Sequence, residues 1–211
     1  MYTIAVNGSP RKKWNTAMLL ESALKGAAEA GSKTEMINLY DFNYKGCISC
    51  FECKRHGGRS FGKCAVKDGL APVLEKIGKA DALIIGSPIY IGSITGETRS
   101  FLERLIFQYM LYTVPYQSSF KGKLKVGLIY SMGANKERFD SSFKASADMT
   151  ESSLKRSFGN LSTLFSYDTY QMDDYSDIDY GMDIGKKLER RKTVFPEDCK
   201  RAYEMGNKLS L

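Results

Sequence analysis

Residues 82–96 read Ala82-Leu83-Ile84-Ile85-Gly86-Ser87-Pro88-Ile89-Tyr90-Ile91-Gly92-Ser93-Ile94-Thr95-Gly96. The opening run is continuously apolar, as expected of a strand covered on both faces. From Ser87 to Gly96 the chain turns to Gly, Ser and Thr, a loop of small polar residues. The same unit recurs on either side. Residues 3–6 are β-prone and end at Asn7-Gly8. From Asn15 the apolar positions Ala17, Leu20, Leu24, Ala27 and Ala28 keep helical spacing up to Gly31. Residues 34–39 predict a second strand and 70–77 a helix. Leu102, Leu105, Ile106 and Tyr109 mark the buried stripe of another helix. Residues 126–130 predict a strand broken at Gly133, 137–158 a helix with an imperfect stripe, and 161–170 a last strand. Pro196-Glu197-Asp198 suits the first turn of a closing helix. Alternating strands and helices imply a parallel sheet with helices on both faces, one doubly wound α/β domain over 1–211.

In such sheets ligands bind beyond the carboxyl ends of the strands, at the switch point in strand order. Three loops therefore mark the expected site: 8–16, 87–96 and 131–133. The first reads Gly8-Ser9-Pro10-Arg11-Lys12-Lys13-Trp14-Asn15-Thr16. Backbone N–H groups at a helix start attract phosphate. Ser9, Asn15 and Thr16 can complete its shell and Arg11 adds charge; the alternative is a turn capped by Asn15 or Thr16. The loop lacks GxGxxG, which disfavours a dinucleotide-binding Rossmann turn.

Composition narrows the chemistry. The chain has 211 residues, 43% hydrophobic and 26% charged, with 31 Lys and Arg against 24 Asp and Glu, a net charge of +7. That balance supports a sizeable core. Its single histidine, His56, excludes zinc sites built from several histidines and two-histidine iron sites. The N-terminus has no signal-peptide pattern and no apolar run is long enough for a bilayer, so a cytoplasmic protein away from the membrane is expected. The basic run Lys186, Lys187, Arg190, Arg191, Lys192 comes without a nucleic-acid-binding pattern and reads as a solvated face, with no nucleic acid as partner. Residues 57–64 nearly match a P-loop, but Cys64 stands where a hydroxyl is needed. The acidic residues from Asp173 to Asp183 lack the glycine and glutamate of a calcium loop.

Cysteine placement is the sharper signal. Cys47, Cys50 and Cys53 form CxxCxxC, and Cys64 follows after a ten-residue spacer, within a Cys-rich insertion at about 44–68. Where thiols stay reduced, four clustered thiols can hold an iron–sulfur cluster or zinc, or stay bare and redox-active. The spacer carries Gly57, Gly58 and Gly62, so nothing in it fixes Cys64 without a metal. Cys199 falls on the apolar stripe of the last helix with Ala202 and Tyr203 and reads as core.

Taken in order, Gly8-Ser9-Pro10-Arg11 through Asn15-Thr16, Gly46-Cys47-x2-Cys50-x2-Cys53, Gly62-Lys63-Cys64 and 87–96 resemble the flavodoxin-like NADPH-dependent FMN reductase superfamily, in its iron–sulfur flavoprotein-like branch. The resemblance covers most of 1–135. It implies a five-stranded parallel sheet of order 2-1-3-4-5. It also implies an FMN-dependent oxidoreductase moving electrons from NAD(P)H to an acceptor, with no residue singled out as catalytic. Ser9, Arg11, Asn15 and Thr16 would hold the FMN phosphate. Pro88, Ile89, Tyr90, Ile91, Gly92, Ser93 and Gly96 would lie along the flavin ring, with Ser131, Met132 and Gly133 on its other side. Cys47, Cys50, Cys53 and Cys64 would ligate a 4Fe-4S cluster, although Cys64 lies farther from Cys53 than the branch usually has it. Two alternatives are an FMN-binding electron carrier and a cysteine-based redox or zinc protein without flavin. Carriers of the flavodoxin kind are usually acidic, so a chain at +7 favours the reductase. The aromatics and methionines of 167–182 (Tyr167, Tyr170, Met172, Tyr175, Tyr180, Met182) suggest an interface, hence a homodimer or homotetramer.

Overall fold

The structure, a computed structural model, describes residues 1–211. In chain order the elements are β1 (Tyr2–Asn7), α1 (Asn15–Glu29), β2 (Lys33–Asn38), α2 (Ala71–Ile77), β3 (Ala82–Tyr90), β4 (Ser93–Ile94), α3 (Gly96–Phe107), β5 (Met110–Leu111), β6 (Gln117–Ser118), β7 (Lys125–Ser131), α4 (Lys136–Ser142), α5 (Lys144–Phe158), β8 (Leu161–Ser166), α6 (Ile184–Thr193) and α7 (Phe195–Leu209). Five parallel strands lie in the order β2-β1-β3-β7-β8, which is the expected 2-1-3-4-5. No helix is long and apolar enough to cross a membrane.

Side chains alternate across this sheet. Ile4, Val6, Leu83 and Ile85 face a core shared with α2, α3 and α5, while Ala5, Ala82 and Ile84 face α1 and α7. The second face is thin because α1 and α7 nearly touch. A Cβ on Gly206 would lie 1.8 Å from Ala23 O, and one on Gly26 would lie 2.0 Å from Tyr203 O. Backbone cannot yield as a flexible side chain would, so both positions need glycine.

Three expectations change. β3 runs on through Tyr90, and Ile89 and Tyr90 pair antiparallel with Ile94 and Ser93 of β4. The stretch from Ser87 is thus a hairpin, not a loop. Its two-residue turn places Ile91 at φ +50° and Gly92 at φ +77°. Both central residues are left-handed, as a primed hairpin turn requires. An isoleucine there is strained by about 1–3 kcal/mol, and Ile91 is fully exposed. Next, the helix expected over 137–158 is two, α4 and α5, breaking at Phe143; α4 buries Phe139 alone, and two of the four residues that α5 buries are the hydroxyl residues Thr150 and Ser157, which is why an apolar stripe fits badly.

The basic run on α6 is the third change, because three of its five cations do not face water. Lys187 is 2% exposed and donates to Gly133 O (2.8 Å) and to Asp168. Arg190 pairs with the buried Asp198 at 2.9 Å, and Asp198 also accepts from Ser166 Oγ and Arg201. Arg191 reaches Asn15. Periodicity could not show this, since long side chains bury their stems and carry charge to a partner within the fold.

Replacing Lys187 by Met leaves Gly133 O without its donor, while the third-exposed Asp168 rehydrates. Lys187→Met should therefore lower stability by about 1–3 kcal/mol, and the exposed neighbour Lys186→Met should leave it unchanged, both read from denaturant midpoints.

Candidate functional site

The crevice forms where β1 and β3 part at their carboxyl ends. Gly8 N donates to Gly86 O (2.8 Å), and Thr95 Oγ1 donates to Gly8 O (2.7 Å). Thr95 Oγ1 lies 2.8 Å from Thr98 Oγ1, which reaches Ser87 Oγ at 3.2 Å. This buried hydroxyl chain clamps the loop after β1 to the hairpin after β3. Gly8 is obligatory within it, because a Cβ there would lie 1.8 Å from Thr98 Oγ1.

Beyond Gly8 the backbone folds around its own side chains. Ser9 N donates to Asn7 Oδ1 (3.0 Å) and Arg11 N to Ser9 Oγ (3.1 Å). Helix α1 then starts at Asn15 with neither a capping side-chain bond nor an acid in its first turn. A helix start usually recruits one or the other. Asn15 and Thr16 are buried there, and Thr16 Oγ1 lies 2.8 Å from Ser131 Oγ. The result is a positive helix end, lined by hydroxyls and an amide and not neutralised by the chain.

Ser9, Arg11, Asn15, Thr16, Pro88, Ile89, Tyr90, Ser131, Met132 and Gly133 all line one cavity of about 270 Å³. Ile91 and Gly92 line an adjoining, more open hollow that shares Ile89, Met132 and Gly133. Ser93 and Gly96 line neither: Ser93 pairs with Tyr90 and accepts from Ser146 Oγ, and Gly96 opens α3.

Sequence reasoning missed the wall on the far side, formed by Trp14, Thr169, Gln171, Met172, Ile178 and Tyr180. Most of these belong to the segment expected to form an interface. Its Tyr170 and Tyr175 are buried inside this chain instead. Thr169 N donates to Met132 O (2.8 Å), and Gln171 N to Tyr175 Oη (2.9 Å). Burial, reinforced by Tyr175, pushes the Tyr180 phenol up to about 12. It therefore stays protonated and bonds Gln171 Oε1 at 3.2 Å. Arg11, Trp14 and Asn15 all donate to the carbonyls of Tyr170 and Gln171. Composition gave a signal here, but aromatic and methionine enrichment is the same for a pocket wall as for an interface.

The four clustered cysteines also converge. Cys47, Cys50, Cys53 and Cys64 line one small cavity of about 20 Å³ with apolar neighbours, Arg104 and Gln108. All are free thiols. Residues Ser49 and Phe51, between the first three cysteines, take left-handed φ of +53° and +58° and curl the loop. Burial pushes the Cys53 thiol up against the pull of the Lys54 ammonium. The loop lies along α3: Tyr44 Oη donates to Glu97 O, Cys47 N to Glu103 Oε2, and Lys54 to Phe107 O. Contrary to expectation, Cys64 is fixed by protein alone. Its N–H donates to Gln108 Oε1 (3.0 Å) and its sulfur accepts from Arg104 Nε (3.3 Å). No three His, Cys, Asp or Glu side chains meet around a single ion. His56 is exposed, its ring tilted over Phe61, and Cys199 packs partly buried on the α1–α7 face, on the apolar stripe where it was expected.

Residues 1–144 match the family profile of NADPH-dependent FMN reductases. An iron–sulfur flavoprotein of Methanocaldococcus jannaschii is 34% identical over 136 residues, 64% of this chain and 64% of its own. One from Archaeoglobus fulgidus is 38% identical over 104 residues, 49% and 48% of the two chains. The chain thus spans between about half and two thirds of these relatives' lengths. In fold it superimposes on an NAD(P)H:quinone oxidoreductase from Methanothermobacter marburgensis with a TM-score of 0.72, 17% identity and coverage of 99% and 98%. It also superimposes on an FMN-dependent NADH-azoreductase from Bacillus anthracis, with a TM-score of 0.68, 13% identity and full coverage of both chains. The profile match over most of the chain, with relatives that all carry the iron–sulfur flavoprotein name, places this chain in the NADPH-dependent FMN reductase family, in its iron–sulfur flavoprotein branch.

Proposed function

We propose that the protein is an FMN-dependent oxidoreductase that passes electrons from NAD(P)H to an acceptor, with an iron–sulfur cluster on the four clustered thiols. The observation that carries the flavin reading is the start of α1, a helix end with no cap and no acid, ringed by Ser9, Asn15, Thr16 and Ser131. That donor set fits a phosphate. When bound, FMN supplies two-electron acceptance from a nicotinamide and one-electron release.

The chain's own residues hold and shape. Ser9, Asn15 and Thr16 would donate to the phosphate, and the exposed Arg11 would swing its guanidinium from Gln171 O onto it. Pro88, Ile89, Tyr90, Ile91 and Gly92 would form one wall against the ring; Ser93 and Gly96 would support that wall from behind. Ser131, Met132 and Gly133 would form the other wall, kept in place by Lys187 through Gly133 O. The apolar lining excludes water from the reacting face. The charge of +7 favours approach of a phosphorylated nicotinamide.

Four thiols lining one cavity support the cluster. A cubane spreads its ligands over separate irons, so its thiolates need not meet at one point as zinc ligands must. A cavity of about 20 Å³ has room for about one water, so the exposed part of the loop carrying Cys50 has to move outward to admit a cluster. Reduced thiols suit the cytoplasm.

Three measurements test this reading. Anaerobically purified protein should be yellow-brown, release stoichiometric FMN, contain iron and acid-labile sulfide, and oxidise NAD(P)H in steady state. Colourless protein that takes up no FMN overturns the flavin reading, and flavin without turnover leaves an electron carrier. Losing one charge-assisted contact, by Arg11→Ala or Thr16→Ala, should weaken FMN by about ten- to hundredfold, since such a contact is worth on the order of 1.5–3 kcal/mol; an unchanged titration of the double variant places the phosphate elsewhere. Ile48, Phe51, Tyr112 and Val114 expose apolar surface, Phe51 and Tyr112 lying 6.1 Å apart by ring centroid, so light scattering at micromolar concentration should report a dimer or tetramer, and a strictly monomeric mass removes that part.

A further inference from the structure

Arg104 sits on α3 with 1% of its surface exposed, in a helix whose buried side is otherwise apolar or hydroxylic. All three nitrogens of its guanidinium donate. Nη1 donates to Asp68 Oδ2 (2.5 Å) and Lys45 O (3.3 Å), Nη2 to Val66 O (3.2 Å) and Nε to Cys64 Sγ (3.3 Å). Lys45 precedes the CxxCxxC run, while Val66 and Asp68 follow Cys64. One buried side chain therefore ties both ends of the cysteine excursion to α3. A neutral thiol is a poor acceptor for a guanidinium, whereas a thiolate or metal-bound sulfur makes a charge-assisted bond.

One helical turn on, Gln108 is 4% exposed and lines the cysteine cavity. Its Oε1 accepts the Cys64 N–H at 3.0 Å, but its Nε2 is buried with no acceptor. Buried donors left unpaired are rare in native proteins and call for a partner. The other side chains around this cavity are apolar, apart from the thiols and Arg104, which is a donor only. Sulfur is the side-chain acceptor that this cavity offers; Gln108 also borders a second hollow, whose Glu75 and Tyr109 make no bond to its Nε2.

We propose that Arg104 and Gln108 are positioning residues for a cluster on Cys47, Cys50, Cys53 and Cys64, an inference that rests on the cluster reading above. Arg104 and the Gln108 carbonyl place Cys64 as fourth ligand despite its ten-residue spacer, and Gln108 Nε2 donates to a sulfur of the cluster. Donors to sulfur favour the more negative, reduced state and raise the reduction potential.

The test uses the holoprotein, purified anaerobically, with FMN content as the check on folding. Gln108→Glu keeps the acceptor for the Cys64 N–H and removes the donor; Gln108→Leu removes both. In both, the cluster midpoint, followed by electron paramagnetic resonance during a redox titration, should move negative; Gln108→Glu should retain iron and sulfide, while Gln108→Leu, which also frees the Cys64 N–H, should lower iron per chain. Arg104→Lys should lower iron per chain and yield a three-iron signal, and adding Cys64→Ala to it should change little more. Should Arg104→Lys not fold, the Gln108 pair still decides. A cluster-bearing wild type whose midpoint is indifferent to both Gln108 variants overturns the positioning role alone. A wild type with full FMN and neither iron nor sulfide overturns the cluster reading and this inference together.

Discussion

The hydroxyl chain from Gly8 O through Thr95 and Thr98 to Ser87 is the constraint around which the molecule is organised. It lies at the point where the sheet reverses its winding, and there it fixes the distance between two loops that no strand pairing holds. Each member is buried and each hydroxyl has a partner, so the network is rigid. With the loops held apart by a set amount, α1 must begin where Asn15 and Thr16 face the crevice. The hairpin of β3 and β4 must stand along its other edge.

Thr98 and Arg104 belong to α3, and Gln108 caps its C-terminal end. At 1.5 Å of rise per residue, the cysteine contacts lie about 9–15 Å down the helix from the crevice contact. A single rigid rod thus supports both groups of candidate ligands. The excursion of about 25 residues that carries the thiols has almost no regular structure of its own, only the 3-10 turn Glu52–Lys54. It keeps its shape by leaning on α3, through the bonds made by Glu97, Glu103, Arg104 and Phe107.

Legibility in the sequence followed how locally each feature is encoded. The parallel strands could be read because burial on both faces leaves runs such as 82–86 with no polar residue. The strand order came with the family resemblance and is what the structure has. The hairpin after Ser87 was hidden because Ile91-Gly92 lacks the Asn-Gly signal of a primed turn, and its left-handed isoleucine is tolerated by context. Arg104 left no mark because a lone arginine in an apolar stripe looks like a solvated interruption; its partners lie 36 and 40 residues away at Asp68 and Cys64. Lys187 and Arg191 misled for the same reason. The inward turn of 167–182 depends on main-chain bonds to Met132 and Ala134, which composition does not encode.

The donors offered by Arg11, Trp14 and Asn15 are already engaged by the carbonyls of Tyr170 and Gln171. On the proposed reading, a phosphate at the start of α1 would find the helix's own N–H groups uncapped but would compete with these carbonyls for the side-chain N–H groups of Arg11, Trp14 and Asn15. The balance of that exchange would rest on how readily 168–182 withdraws. If the open arrangement makes up one part in ten of the population, apparent affinity falls tenfold below its intrinsic value. Sequence changes far from the crevice, in the tyrosine-rich packing around Tyr175 or the α6 anchor at Lys187, would then alter the affinity for the proposed ligand without touching it.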